Sequence, residues 1–128
     1  MTELDELSSW IAHAEDDFES AKTLIRRKKP LLYSVCFHAQ QCAEKYMKAL
    51  LLVQGKGFPK THDLNTLDEL CTKAGIIIGI EKLALQLLSN YAVNTRYPGD
   101  EPTLKDAKIA IQISTDIRRF ARKFLGLK

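Results

Sequence analysis

The chain has 128 residues, 45% hydrophobic and 27% charged, which is enough for one soluble domain with its own core and too few for two. A net charge of +3 is too small an excess to argue by itself for nucleic acid. Three cysteines make a poor disulfide framework and fit a reducing cytoplasm; the acidic start lacks the basic and apolar regions of a signal peptide, and no apolar run is long enough to span a membrane.

Residues 3 to 28 predict a first helix. Leu4, Leu7, Ile11, Ala14, Phe18, Ala21 and Ile25 recur at alternating spacings of three and four, and acidic residues precede basic ones, as the helix dipole prefers. Trp10 lies off this seam, so it either caps the core edge or joins an interface. Pro30 is placed to open a second helix that runs to about Gln54, and Gly55 and Gly57 end it. On a helical wheel, Leu32, Val35, Cys36, Ala39, Cys42, Ala43, Tyr46, Met47, Ala49, Leu50 and Val53 share one half, a core face whose Ala and Cys residues let a neighbouring helix approach closely. The other half carries Tyr33, Phe37, Gln40, Gln41, Glu44, Lys45, Lys48 and Leu51, with His38 at its margin. Two readings fit this half. It is a patchy solvated face, or it is a second buried face meeting another subunit through Tyr33, Phe37, Gln40 and Leu51.

The loop GKGFPKTHD follows and lacks the order of a phosphate loop. A short helix is predicted from Asn65 to Ala74, with Asp63 or Asn65 as N-cap and His62 in the capping loop. Ile76, Ile77 and Ile78 form an apolar connector. A third long helix is predicted from Ile80 to Thr95, with Ile80, Leu83, Ala84, Leu87, Leu88 and Tyr91 facing inward. Pro98 and Pro102 cannot continue it. Thr103, with Asp106 three residues on, starts the last helix. Four long helices and one short one predict an all-α fold, an antiparallel up-and-down four-helix bundle with one additional short helix, as a single domain over residues 1–128.

Metal chemistry is not expected, because His13, His38 and His62 are scattered and neither HExxH nor CxxC occurs. No cofactor is implied. Arg96, pinned by Tyr97 and Pro98, either satisfies helix-end carbonyls or meets a phosphate with its forked donors.

The run Phe37-His38-Ala39-Gln40-Gln41-Cys42-Ala43-Glu44-Lys45, continued by Lys48-Ala49-Leu50-Leu51, resembles the signature helix of HEPN domains, the higher eukaryote and prokaryote nucleotide-binding domains. The similarity extends to Trp10, Ala14, Asp17 and Ala21, to Thr61-His62-Asp63-Leu64, and to Arg96-Tyr97-Pro98. It implies an all-α bundle, usually a homodimer, often encoded beside a minimal nucleotidyltransferase in a toxin–antitoxin-like pair. Many such domains are metal-independent ribonucleases with an Arg-x(4–6)-His motif. Here Glu101, Pro102 and Thr103 stand where the histidine belongs after Arg96, and no histidine follows His62. The expectation is therefore a non-catalytic nucleotide- or partner-binding subunit, with Arg96, Gln41, Glu44, Lys45 and Lys48 around a phosphate-bearing ligand. The alternatives are a divergent ribonuclease acting on RNA through Arg96 with His38 or His62, and a stand-alone structural dimer.

Overall fold

The computed structural model describes residues 2–93 and 98–128 and contains five helices: α1 (Glu3–Ile25), α2 (Leu32–Val53), α3 (Leu64–Lys73), α4 (Lys82–Ser89) and α5 (Leu104–Phe124). The fold is all-α, with no strand among the described residues. Local chemistry explains most helix ends. Thr2 and Asp5 form a capping box at α1, and Thr103 and Asp106 form another at α5. Asp63 caps α3 by accepting from the Asn65 amide. Gly55 and Gly75, at φ 68° and 85°, take the left-handed conformation that lets the chain leave α2 and α3. The start of α2 falls two residues beyond Pro30, at Leu32, without a side-chain cap.

The second helix is the centre of the molecule and packs most heavily on α1 and α5. The contacting positions are small: Ala14 and Ala21 on α1, Ala39, Cys42 and Ala43 on α2, and Ala107, Ala110 and Ala121 on α5 are all buried. Short side chains allow close helix approach, and Phe18, Tyr46, Met47, Leu50 and Ile117 fill the space between. Direction follows from cross-helix bonds. Asp17 meets His38 and Glu15 meets Tyr46, so α1 runs antiparallel to α2. Along α5, Asp106 lies near Cys36, Ser114 meets Cys42 and Arg122 donates to Tyr46, so α5 runs parallel to α2. The Tyr33 hydroxyl donates to the Val93 carbonyl, which brings the chain beyond α4 back to the start of α2.

Three predictions about helices need correction. The helix expected from Ile80 to Thr95 is α4, with eight residues; Gly79, at φ 85°, and the extended Glu81 delay its start, and turns follow Ser89. Thr95 lies outside the described residues. The phase of α4 also differs: Leu85 and Leu88 are buried, whereas Leu83 is 77% exposed and Leu87 points outward with it. At the first turn of α1, Leu4 is 75% exposed, and the α1 seam meets the core cluster from Ile11 onward.

Candidate functional site

The polar half of α2 is mostly covered by its own chain. Lys48 follows Glu44 by one helical turn, and its Nζ donates to Glu44 Oε2 at 2.9 Å. The segment between α2 and α3 folds back over this pair. His62 Nδ1 donates to Glu44 Oε1 at 2.8 Å, and Gln40 Nε2 donates to the same oxygen at 3.1 Å and to the His62 carbonyl at 3.2 Å. Gln41 Nε2 donates in turn to Gln40 Oε1 at 2.7 Å. Glu44 is thus a buried carboxylate with three donors. Burial alone would raise its pKa, but the bonds from Gln40, Lys48 and His62 outweigh that and hold it below the usual carboxylate value.

Aromatic rings close the other side of Lys48. Its ammonium lies 5.7 Å from the Trp10 ring and 5.6 Å from the Phe58 ring, and the two rings meet edge to face at 5.9 Å. Trp10 thus reaches the core through Phe58, which packs against it. Lys48 is enclosed by a carboxylate and two aromatic rings.

A second carboxylate organises the opposite margin of α2. Asp17 on α1 is buried; it accepts from His38 Nδ1 at 2.8 Å and from Lys45 Nζ. His38 also lines an open groove of about 590 Å³ with Asp16, Glu19, Ser20, Thr23 and Leu24. Both imidazoles share one geometry. The carboxylate fixes Nδ1 as donor, so Nε2 is turned away from it. His62 is the more available, its side chain 61% exposed over a Glu44 side chain only 5% exposed.

Of the residues the sequence suggests for a ligand, Gln41, Glu44 and Lys48 come together in one network, and Lys45 joins Asp17 instead. Both lysines are held by carboxylates, because each stands where an acid on its own helix or on α1 can reach it. Arg96 lies outside the described residues. Of the residues suggested for an interface, Tyr33, Gln40 and Leu51 are buried within their own chain, so they are not surface groups; Phe37 remains half-buried, edge-on to His38 at 5.4 Å. Part of this half of α2 is covered by the chain's own α1 and the 54–63 segment, where the wheel suggests either solvent or another subunit. The sequence places His62 in a capping loop. Asp63 is the cap, and His62 is an anchor on Glu44.

Other chemistry is limited. Burial pushes the thiol of Cys36 up to about 11 and those of Cys42 and Cys71 up to about 12, so they stay protonated. Among the described residues no group of three His, Cys, Asp or Glu side chains gathers to hold a metal ion, and no helix is long and apolar enough to cross a membrane.

The HEPN domain family model matches residues 7–124. No curated protein matches the chain. Two solved structures are similar to it. The crystal structure of TT1696 from Thermus thermophilus is 23% identical, with a TM-score of 0.71 over 91% of this chain and 96% of that one. The crystal structure of ST0689, an archaeal HEPN homologue, is 25% identical, with a TM-score of 0.66 over 91% of this chain and 95% of the other.

Proposed function

The chain belongs to the HEPN domain family, and on that premise we propose that it is a non-catalytic, nucleotide- or partner-binding subunit working with a minimal nucleotidyltransferase. The observation that carries this reading is the departure after Arg96: Glu101, Pro102 and Thr103 occupy the positions where the family's ribonuclease motif needs an imidazole. The geometry of α2 supports it. Gln40, Gln41, Glu44, Lys48 and His62 form a satisfied network, which makes a rigid platform for binding. In this reading two copies pair through the exposed edge of α2 around Phe37, and the pair works in a reducing, cytoplasmic setting as part of a toxin–antitoxin-like system. Arg96 supplies a forked phosphate contact.

The test is co-expression with a candidate nucleotidyltransferase followed by size-exclusion chromatography and nucleotide titration calorimetry. A stable complex, or nucleotide binding by either form, is expected; neither partner nor nucleotide binding would sink the reading.

A second reading is favoured by the two carboxylate-anchored imidazoles, His38 on Asp17 and His62 on Glu44, because that arrangement suits proton transfer. It is a divergent ribonuclease. Purified protein should show no RNA cleavage above an Arg96→Ala control. Reproducible cleavage lost in Arg96→Ala and in His62→Gln, with folding intact, would make the protein an enzyme.

A further inference from the structure

Trp10 and Phe58 lie outside the residues to which the sequence points for a ligand, and His62 enters there only in the ribonuclease alternative, yet the structure joins all three through two buried charges. Lys48 Nζ touches both rings on one side and Glu44 on the other, and Glu44 holds His62. A half-buried aromatic pair and an exposed imidazole are thus joined through Lys48 and Glu44. Among Glu44, Lys48, Lys56, Lys60 and Asp63 the balance is one positive charge. Glu44 is offset by Lys48, and Asp63 is occupied as the cap of α3, accepting from the Asn65 amide and the Thr66 hydroxyl. The exposed side chains of the covering segment include Lys56 and Lys60.

We propose that Trp10, Phe58, Lys60 and His62 form a subsite for a nucleoside phosphate, the base packing on the aromatic pair and the phosphate accepting from Lys60 Nζ and, when the ring is protonated on both nitrogens, from His62 Nε2–H. The proposal rests on the nucleotide-binding reading above and places the phosphate at the 54–63 segment rather than on the lysines that α2 keeps paired. Stacking needs only a π-face, and so selects weakly among bases. With Nδ1–H given to Glu44, only the imidazolium form has an Nε2–H for a phosphate oxygen, and in that form the ring is already oriented, so little ordering is left to do on binding. Glu44 is a positioning residue here, because it acts through His62.

Trp10 is the single tryptophan of the chain, so its fluorescence reports on this site directly. Titration with ATP or GTP is expected to change Trp10 emission saturably, with adenosine and inorganic triphosphate each binding more weakly than the nucleotide. His62→Gln is expected to raise Kd by about tenfold or more, the loss of one hydrogen bond to a charged group. Phe58→Leu and Lys60→Glu, which leave the Glu44 network in place, should each weaken binding too, so the proposal stays testable should His62→Gln unfold. Calorimetric nucleotide binding unchanged in Phe58→Leu and Lys60→Glu would move the site elsewhere and leave the nucleotide-binding reading standing. Inorganic triphosphate binding as tightly as ATP would remove the base contact. Silence with every nucleotide, with or without the nucleotidyltransferase, would overturn the subsite and the nucleotide reading together.

Discussion

Glu44 shows how one side chain can fix a surface. A carboxylate enclosed in a helical bundle is unfavourable unless its oxygens are bonded, and here Gln40, Lys48 and His62 supply the donors. Removing Lys48 leaves that charge enclosed with two weaker donors. Lys48→Met should therefore cost on the order of 3 kcal/mol in urea unfolding, although methionine fills the same space between Trp10 and Phe58. The same network links stability to pH. Because the folded Glu44 carboxyl titrates below its ordinary value of 4.5, its contribution is present above that pH and is lost as pH falls through the lowered folded value. Glu15, lowered chiefly by its bond from Arg118, acts in the same direction. Unfolding midpoints measured from pH 7 down to pH 3 should drop less steeply for Glu44→Gln than for the wild type. Parallel curves would show that Glu44 is not linked to acid unfolding.

Helices are the scale at which the sequence is most legible, and the reasons differ from one to the next. The capped helices α1, α3 and α5 begin within a residue or so of their expected starts, because Thr2, Asp63 and Thr103 bond amides of their own first turns. Such signals are local. The extent of α4 is not: Ser89 accepts from the Leu64 amide, and Tyr33 reaches the Val93 carbonyl, both contacts set by distant parts of the chain. The apolar period alone runs straight through this region and places Leu83 inward. The site is legible in part for the same reason. Glu44 and Lys48, one turn apart, fall on one face, but nothing local indicates that His62 folds back onto them or that Asp17 captures Lys45. A local signal should give a local cost. Thr103→Ala removes the α5 capping box and should lower stability by about 1 kcal/mol, with the remaining helices unaffected by hydrogen exchange. A loss below a few tenths would mean that Asp106 alone secures the α5 start.

For the whole molecule, the central question is what remains of α2 once the chain has covered it. Core residues, Gln40, Glu44 and Lys48 are buried, and the residues of α2 left partly open include Ser34, Phe37, His38, Gln41 and Lys45, which recur every three or four positions along one edge. An edge of this kind, with one aromatic among polar groups, suits a two-fold contact in which each copy presents the same strip. The interface proposed around Phe37 is therefore narrower than the wheel implies, since Tyr33, Gln40 and Leu51 already serve the monomer. Sedimentation equilibrium at micromolar concentration should give twice the chain mass. Phe37→Glu should shift the protein to monomer with its far-UV circular dichroism unchanged, because burying a new carboxylate between copies is unfavourable while a half-buried position tolerates it in the free chain. Leu51→Glu should behave differently. Its side chain is fully enclosed by its own chain, so the charge should abolish folding rather than association. A wild-type chain that sediments as a monomer, alone and with its candidate nucleotidyltransferase, would leave the Phe37 edge as ordinary solvated surface.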